Sequence, residues 1–143
     1  MKTLVLIFVT SIFLISCGSV EPDSVIDGNY VGTYSITHNY GTDSAYTLHG
    51  EITFEFSKGS YKYLGTKYSL PPESGGKYCL NRRKIKLIDN GRHNGNIDPT
   101  LLLNGDFNYS FNGARLILEQ QDNKYKYYHR LYLSKKENDD IIM

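Results

Sequence analysis

The sequence predicts an all-β fold, an eight-stranded antiparallel meander that closes into a barrel. From Gly28 onward, apolar and polar residues alternate with a period of two along most of the chain, as they do in half-buried strands. No window of about a dozen residues shows the apolar stripe of an amphipathic helix. Turn residues recur between the alternating runs, which favours hairpins between consecutive strands.

Eight alternating runs define the predicted strands. The clearest run, YTLHGEITFEF, begins at Tyr46 and places aromatic and aliphatic residues on one face and polar residues on the other. The predicted ranges are 28–38, 44–56, 60–68, 75–81, 84–89, 101–111, 114–121 and 124–134.

Tight turns allow the pairing of these strands to be predicted, because cross-strand partners must share a face. The first hairpin needs a loop of odd length, since Ile36 must share a face with Tyr46. A turn at 58–59 pairs Phe56 with Tyr61, and a turn at 82–83 pairs Leu80 with Ile85. A turn at 112–113 pairs Tyr109 with Leu116 and Phe107 with Leu118. A turn at 122–123 pairs Leu118 with Tyr127 and Leu116 with His129.

Strands of this kind can bury their apolar face inside a closed barrel or between two packed sheets. Short hairpins favour the barrel, and closure also removes exposed strand edges. The interior of an eight-stranded barrel can be filled by side chains or can hold one small ligand.

Residues 1–27 follow a different pattern. A positive start at Lys2 precedes an apolar run that ends at Ile15, which is typical of a secretory signal peptide. The run is shorter than the roughly 20 apolar residues that a spanning helix needs. Residues 14–17, LISC, resemble the lipobox of bacterial lipoproteins, in which the cysteine thiol takes a diacylglycerol and becomes the first mature residue. The resemblance implies a signal peptide at 1–16, lipidation of Cys17 and a lipid anchor in the bacterial cell envelope, with the outer membrane as the expected membrane.

The rest of the chain divides into three predicted parts. Residues 17–27 are small, acidic or proline-bearing and are interpreted as a lipidated tether. Residues 28–136 form the barrel, and 137–143 form a C-terminal tail. The formal net charge of +1 falls to near zero when Lys2 leaves with the signal peptide. Because nucleic-acid binding needs a strong basic excess, we expect no nucleic-acid partner.

Short motifs in the predicted barrel resemble a known family. GNYVGTY at 28–34 is similar to the G-x-aromatic-x-G-x-aromatic opening of lipocalin-like barrels. DPTLLLNGDFNY at 98–109 and YYHRLYLSKK at 127–136 are similar to segments of small lipocalin-like lipoproteins of gut-type anaerobic bacteria. The resemblance covers most of residues 28–136 and implies a barrel with an open end.

Tyrosine is unusually frequent: the chain has 13 Tyr and no Trp. Two interpretations remain open, a solid tyrosine-rich core and a solvent-accessible cavity. A buried hydroxyl without a partner costs roughly 1–3 kcal/mol, so several inward hydroxyls need either protein partners or a wet lumen. The candidate residues lining a lumen or ligand site are Tyr34, Tyr46, Tyr63, Tyr78, Tyr109, Tyr127 and His129.

The sequence predicts no catalytic residue, no metal site and no cofactor. Its four histidines fall on different faces and loops, whereas metal ligands must converge on one point. No nucleophile elbow, phosphate-binding loop or H-E-x-x-H motif is present.

Two functions are therefore considered, with an enzyme as a third and weaker alternative. In the first, a lipid-anchored barrel binds a small amphipathic ligand in its lumen or acts as a scaffold. In the second, the protein is an interaction module, an inhibitor or a subunit of a surface complex, that binds an envelope protein through loops at 39–43, 69–76 and 90–100. A hollow interior favours ligand binding, and a packed interior with a conspicuous loop patch favours the interaction module.

Overall fold

The computed structural model describes residues 26–65, 71–93 and 95–137 of the chain. This part of the chain forms eight strands and one short 3-10 helix. The strands are β1 (Gly28–His38), β2 (Tyr46–Ser57), β3 (Ser60–Gly65), β4 (Ser74–Leu80), β5 (Lys84–Asp89), β6 (Gly105–Phe111), β7 (Arg115–Asp122) and β8 (Tyr127–Lys135), and the 3-10 helix covers Pro99–Leu101.

The strands form one antiparallel sheet that closes on itself. Each strand pairs with the next one along the chain, and β1 also pairs with β8, from Tyr30 opposite Lys135 to His38 opposite Tyr127. The predicted all-β class, meander order and barrel closure are confirmed. The predicted signal peptide, the tether as far as residue 25 and the tail from residue 138 lie outside the described residues.

Antiparallel order places successive connections alternately at the two ends of the barrel. The basal end holds the start of β1, the end of β8 and the turns at 58–59, 81–83 and 112–114. The upper end holds the β1–β2 loop (39–45), the β5–β6 segment (90–104) and the β7–β8 turn (123–126). The chain thus enters the barrel at the end opposite to these three connections.

Three hairpins have the pairing that the sequence predicts. The β1–β2 loop, residues 39–45, is odd in length and sets His38 opposite Tyr46. The other two pairings place Phe56 opposite Tyr61 and Leu80 opposite Ile85.

The predicted registers of the last two hairpins are wrong. Tyr109 lies opposite Leu118 instead of Leu116, and Leu116 lies opposite Leu133 instead of His129. The two turns are centred on residues 113–114 and 124–125 instead of 112–113 and 122–123. Both errors shift the pairing by an even number of residues, so every side chain keeps its predicted face.

Side-chain capping explains the shifted turns. Asn112 Oδ1 accepts hydrogen bonds from the backbone N–H groups of Ala114 and Arg115, at 3.1 and 2.7 Å. Asp122 Oδ1 accepts in the same way from Lys124 and Tyr125, at 2.8 and 2.7 Å. An Asn or Asp that binds the backbone two and three residues ahead opens a turn and does not form its centre.

Several strand boundaries also differ from the predicted ones. β6 begins at Gly105 and not at 101, because residues 99–101 form the 3-10 helix. Asp98 caps this helix: its carboxylate accepts hydrogen bonds from the N–H and the hydroxyl of Thr100, at 2.9 and 2.7 Å. β2 begins at Tyr46 and not at 44, and β8 begins at Tyr127 and not at 124, because the preceding residues form loops.

Aromatic and aliphatic side chains fill the barrel interior. The rings of Phe54, Phe56, Tyr61 and Tyr63 stack in one group, with centroids 4.5–6.1 Å apart. Buried aliphatic residues of β1, β7 and β8 line another part of the interior, namely Ile36, Leu116, Leu118, Leu131 and Leu133.

Two residues ahead of β1 close the basal end. The side chain of Ile26 is only 1% exposed, and its carbonyl accepts a hydrogen bond from the Tyr30 hydroxyl at 2.7 Å. The Asp27 carboxylate accepts hydrogen bonds from the Tyr78 hydroxyl at 2.6 Å and from the Lys58 N–H at 3.1 Å. The ordered contacts of the barrel thus begin before Gly28. In the part of the chain that the structure describes, no helix is long and apolar enough to cross a membrane.

Candidate functional site

The hydroxyl groups of the interior tyrosines have partners within the protein. Besides Tyr30 and Tyr78 at the basal end, Tyr61 donates to the carbonyl of Leu103 at 3.2 Å, and Tyr63 accepts from the N–H of Leu103 at 3.1 Å. Burial and then the Asp27 charge raise the pKa of Tyr30 to about 12, so this hydroxyl stays a neutral donor. Protein groups therefore satisfy these hydroxyls without a ligand, which favours the solid-core interpretation.

The two bonds to Leu103 also hold the β5–β6 segment over the upper end. Leu103 is fully buried although it belongs to no strand. Its N–H and its carbonyl are both hydrogen-bonded to tyrosine hydroxyls of β3. These two bonds hold the segment against the barrel interior. The upper end is therefore covered in part by residues of the chain itself.

His129 lies beneath this segment, completely buried. Its Nδ1 is 3.0 Å from the Tyr34 hydroxyl, and the ring packs edge-on against Tyr127 with centroids 4.9 Å apart. Burial is the main reason why the pKa of His129 is lowered to about 4. The nearby carbonyl of Thr100 partly raises this pKa, and repulsion from His38 lowers it further. The imidazole is thus neutral at physiological pH, with one ring nitrogen engaged by a tyrosine.

Two buried polar atoms near His129 lack hydrogen-bond partners among the described residues. They are Nε2 of His129, whose contact with the Thr100 carbonyl falls short of a well-formed hydrogen bond, and Oε1 of Gln120. Gln120 and His129 are opposite each other on β7 and β8, and the Nε2 of Gln120 donates to the Asn104 carbonyl at 2.8 Å. The amide oxygen can accept a hydrogen bond, and the imidazole nitrogen can donate or accept one according to its tautomer.

The other candidate lumen residues lie nearer the ends of the barrel. Tyr46 is 53% exposed at the upper end, although it shares a strand face with the buried Phe54. Tyr109 and Tyr127 are half-buried, and the Tyr109 hydroxyl donates to the Asn81 carbonyl at the basal end, at 3.3 Å. Tyr34, Tyr127 and His129 come together; burial raises the pKa of Tyr34, and Tyr63 is close enough to Tyr34 to raise it further. Tyr46, Tyr78 and Tyr109 lie towards the ends of the barrel, so the candidate residues do not all converge on one pocket.

The predicted list of lumen residues omits two interior tyrosines, Tyr30 and Tyr61. Both are at most 2% exposed. Their positions were recoverable, because Tyr30 has the same strand parity as Tyr34 and Tyr61 has the same parity as Tyr63.

Aromatic side chains gather at the upper end, in what we call the upper aromatic patch: the exposed Tyr40, Tyr46 and Tyr125 and the half-buried His38 and Tyr128. His38 stacks on Tyr46 with centroids 5.0 Å apart, and Tyr40 stacks on Tyr128 at 5.2 Å. A backbone hydrogen bond of 2.8 Å from Tyr40 to Lys126 joins the β1–β2 loop to the β7–β8 turn. The two loops that carry Tyr40 and Tyr125 are therefore joined at the upper end, and the strand residues His38, Tyr46 and Tyr128 lie beside them.

A serine, an aspartate and a histidine meet where the β5–β6 segment begins. Ser74 Oγ donates to Asp89 at 2.8 Å, and Nε2 of His93 lies 3.1 Å from Asp89 and 3.3 Å from Ser74. In a catalytic triad the carboxylate and the hydroxyl contact different ring nitrogens, whereas here both contact Nε2. The arrangement suits a structural tie between β4, β5 and the segment that follows. No sequence motif predicts this cluster, because the pairing of β4 with β5 brings Ser74 to Asp89 and the following segment adds His93.

Two further predictions concern metals and the anchor. No group of three or more potential ligands is clustered to hold a metal ion within residues 26–65, 71–93 and 95–137. Cys17, the predicted lipidation site, lies outside the described residues.

The eight-stranded antiparallel barrel is compatible with the lipocalin-like fold that the sequence motifs imply. No protein family, no curated protein and no solved structure matches the chain. The lipoprotein identity therefore stays a prediction.

Proposed function

We propose that this protein is a lipid-anchored envelope protein of bacteria whose barrel is a rigid scaffold for binding another envelope protein. The observation that carries this proposal is the upper aromatic patch, which gathers exposed rings at one end of a filled barrel. A filled interior leaves little space for a small ligand, and an aromatic patch on the surface offers a contact area to a protein. Together they favour an interaction module over a carrier of small ligands.

The position of the patch fits this role. A tether from a lipidated Cys17 would reach the barrel at residue 26, at the basal end. The upper aromatic patch lies at the opposite end, so it would face away from the membrane that holds the anchor. A partner in the same envelope compartment could then approach it without obstruction by the bilayer.

The chemistry of the patch also fits a protein partner. The β1–β2 loop, NYGTDSA, is rich in Asn, Tyr, Gly and Ser, the residues that dominate antibody combining sites. Tyrosine supplies a large contact area with few rotatable bonds, and the stacked pairs already restrict the rings. Little side-chain entropy is therefore lost when a partner covers them.

Site-specific photo-crosslinking in the native cells tests the proposal. A photoreactive amino acid replaces Tyr125, which is 63% exposed in the patch, or Leu64, which is 43% exposed on the outer wall. We expect a discrete adduct with one envelope protein from position 125 and none from position 64. The adduct should disappear in a Tyr40→Ser/Tyr46→Ser variant. Equal labelling from both positions, or no adduct at position 125, would contradict the proposal.

The anchor has its own test. Cells fed a labelled fatty acid should incorporate label into the wild-type protein and not into Cys17→Ser, and the variant should leave the membrane fraction. A protein that carries no label, or a variant that stays with the membrane, would remove the lipid anchor from the proposal.

A small amphipathic ligand is the second candidate function, favoured by the partnerless Nε2 of His129 and Oε1 of Gln120. Native mass spectrometry of the gently purified protein should then show a defined added mass that Gln120→Leu abolishes. A spectrum that holds only the protein mass would leave ligand binding without support.

A further inference from the structure

The basal end of the barrel carries a marked excess of positive charge. Among the described residues, its acidic side chains are Asp27 and Glu137. Its basic side chains, which we call the basal cationic surface, are Lys58, Arg82, Arg83, Lys84, Arg115, Lys135 and Lys136. All of these except the half-buried Lys135 are exposed.

Rigid turns present these cations. The Asn81 side chain holds the Arg82-Arg83 turn, because its Oδ1 accepts from the N–H groups of Arg83 and Lys84 at 3.1 and 2.8 Å. Asn112 fixes the backbone of Arg115 in the same way, at 2.7 Å. Lys58 has a φ of 48° and is followed by Gly59 with a φ of 80°, which is the geometry of a tight hairpin turn.

Between described residues, no basal cation forms an ion pair. The Asp27 carboxylate already accepts hydrogen bonds from the Tyr78 hydroxyl and the Lys58 N–H. The ion pairs between described residues join His93 to Asp89 and Arg130 to Glu119, and neither involves a basal cation.

The upper end has the opposite balance of charge. Its loops and strand ends carry Asp43, Glu73, Asp89, Asp98 and Asp122 against Arg92, Lys124 and Lys126. The charges of the described residues are therefore distributed unevenly along the barrel axis.

The basal cationic surface also has a recess. A groove of about 490 Å³ runs between the start of β1 and the β6–β7 turn, and it is lined by the cations Lys135 and Lys136 and by the carboxylates Asp27 and Glu137. Its two ammonium groups are thus balanced by two carboxylates, and the excess of positive charge lies outside the groove, on the hairpin turns that carry Lys58, Arg82 and Arg83.

From these observations we infer that the basal end docks onto the surface of a bilayer that contains anionic phospholipids. This inference rests on the proposed lipid anchor, because the tether enters at the same end and would bring the cations to the headgroups. Basic side chains close to an anionic membrane surface each contribute about 1 kcal/mol of attraction, in addition to what the acyl chains of the anchor supply. Docking would also orient the barrel, with the upper aromatic patch pointing away from the bilayer.

Vesicle co-sedimentation of an unlipidated chain, residues 17–143 with Cys17→Ser, tests the docking separately from the anchor. Vesicles of phosphatidylglycerol and phosphatidylethanolamine in equal amounts are compared with pure phosphatidylcholine. We expect binding to the anionic vesicles at low ionic strength, loss of binding in high salt because the charges are screened, and no binding to phosphatidylcholine. Equal binding to both kinds of vesicle would overturn the inference.

Paired variants identify the surface. Arg82→Ser/Arg83→Ser should weaken binding to the anionic vesicles by about tenfold or more, since each cation near such a surface contributes substantially. Lys124→Ser/Lys126→Ser removes the same charge from the upper end and should leave binding unchanged. Equal losses in both variants would overturn the inference.

Two further readouts separate the possible causes of a negative result. Displacement by inorganic phosphate, but not by chloride at the same ionic strength, would assign the surface to a free anion and overturn the bilayer assignment. Fatty-acid labelling reports the anchor alone. If the protein incorporates the fatty acid but its unlipidated form does not bind anionic vesicles, the docking is refuted and the anchor is supported. If the protein incorporates no fatty acid but its unlipidated form binds anionic vesicles, the anchor is refuted and the docking is supported.

Discussion

A neutral imidazole inside the barrel makes the stability of this protein depend on pH. In the folded state, burial holds the pKa of His129 at about 4, below its usual value of 6.5. The unfolded chain therefore binds more protons than the folded chain between these two values. The stabilising contribution is complete above pH 6.5 and declines as the pH falls to about 4.

Replacing His129 should flatten this dependence. Wild-type protein should lose roughly 1 kcal/mol of unfolding free energy between pH 7 and pH 5.5 through this residue, and His129→Leu should not show that loss. The variant leaves the Tyr34 hydroxyl without its ring partner, so its stability should be lower at both pH values. Urea unfolding at the two pH values measures the difference.

His49→Gln is the matched control, because His49 is exposed on the outer face of β2. It should keep the wild-type pH dependence. If His129→Leu kept the wild-type slope, or if His49→Gln removed it, His129 would not be the group responsible.

The main-chain bonds to Leu103 give a second prediction. Tyr63→Phe removes the acceptor for a buried backbone N–H, and we expect a loss of about 1–3 kcal/mol of unfolding free energy. Tyr109→Phe removes a longer, exposed hydrogen bond of 3.3 Å and should cost well under 1 kcal/mol. Urea unfolding of both variants checks the difference, and equal costs would show that the Leu103 bond is not a significant support.

Parity along a strand predicts which side of a sheet a residue takes, but not how far along the barrel it lies. Tyr34 and Tyr63 follow their predicted inward face into the buried interior. Tyr46 has the same parity as Phe54 yet is exposed, because it stands at the end of β2 where the barrel opens. Whether an inward-facing residue is buried or exposed therefore depends on its distance from the end of its strand. Alternation of apolar and polar residues does not show where a strand ends and its loop begins.

At the scale of whole strands, the two wrong registers are shifted by an even number of residues. They show that the sequence predicts the face of each side chain but not the centre of each turn. The faces of β6, β7 and β8 were predictable, because an alternating pattern fixes parity. The turn centres at 113–114 and 124–125 were not, because the Asn112-Gly113 and Asp122-Asn123 pairs suggest two-residue turns centred on themselves. Their side chains instead cap the backbone ahead of them.

The seam between β1 and β8 depends on Gly32. A Cβ at this position would overlap the carbonyl oxygen of Tyr132 across the seam. We expect Gly32→Ala to lose several kcal/mol of unfolding free energy or to fail to close the barrel, well above the roughly 1 kcal/mol of a propensity effect. Thermal unfolding, with strand content followed by circular dichroism, measures the loss.

Gly41→Ala controls for the effect of any glycine replacement. Gly41 has a φ of 80° in the β1–β2 loop, and an added Cβ there would meet no atom within 4 Å. Its cost should be limited to backbone strain, about 1 kcal/mol. Similar losses in the two variants would argue against the close approach at the seam.

At the scale of the whole molecule, the barrel includes residues that resemble a linker in sequence. Ile26 and Asp27 stand in a short polar stretch with little sign of packing, yet Ile26 is 1% exposed. A chain that starts at Gly28 should be less stable than one that starts at Pro22 by about 3 kcal/mol or more, since it loses a buried isoleucine and the partners of two tyrosine hydroxyls. Equal urea midpoints and slopes would show that these residues add nothing.

Contacts made by chain reversal were the least predictable part of the molecule. The meeting of Ser74, Asp89 and His93, and the burial of Leu103, both depend on the path of the β5–β6 segment. Its Gly and Asn residues signal a loop but carry no periodic pattern that would fix its course. The polar interior around His129 was visible only in part, because Gln120 gains its place beside the histidine through the corrected β7–β8 register.

The double pairing of β1 has a mechanical consequence. Gly28, at one end of this strand, is where a membrane tether would pull, and His38, at the other, adjoins the surface where a partner would pull. Tension between these points runs along β1, while its hydrogen bonds to β2 and β8 lie across it. The bonds on both sides therefore carry the load together in shear and do not open one after another like a zipper. A barrel held at these two points should resist stretching far better than one pulled apart through a single hairpin.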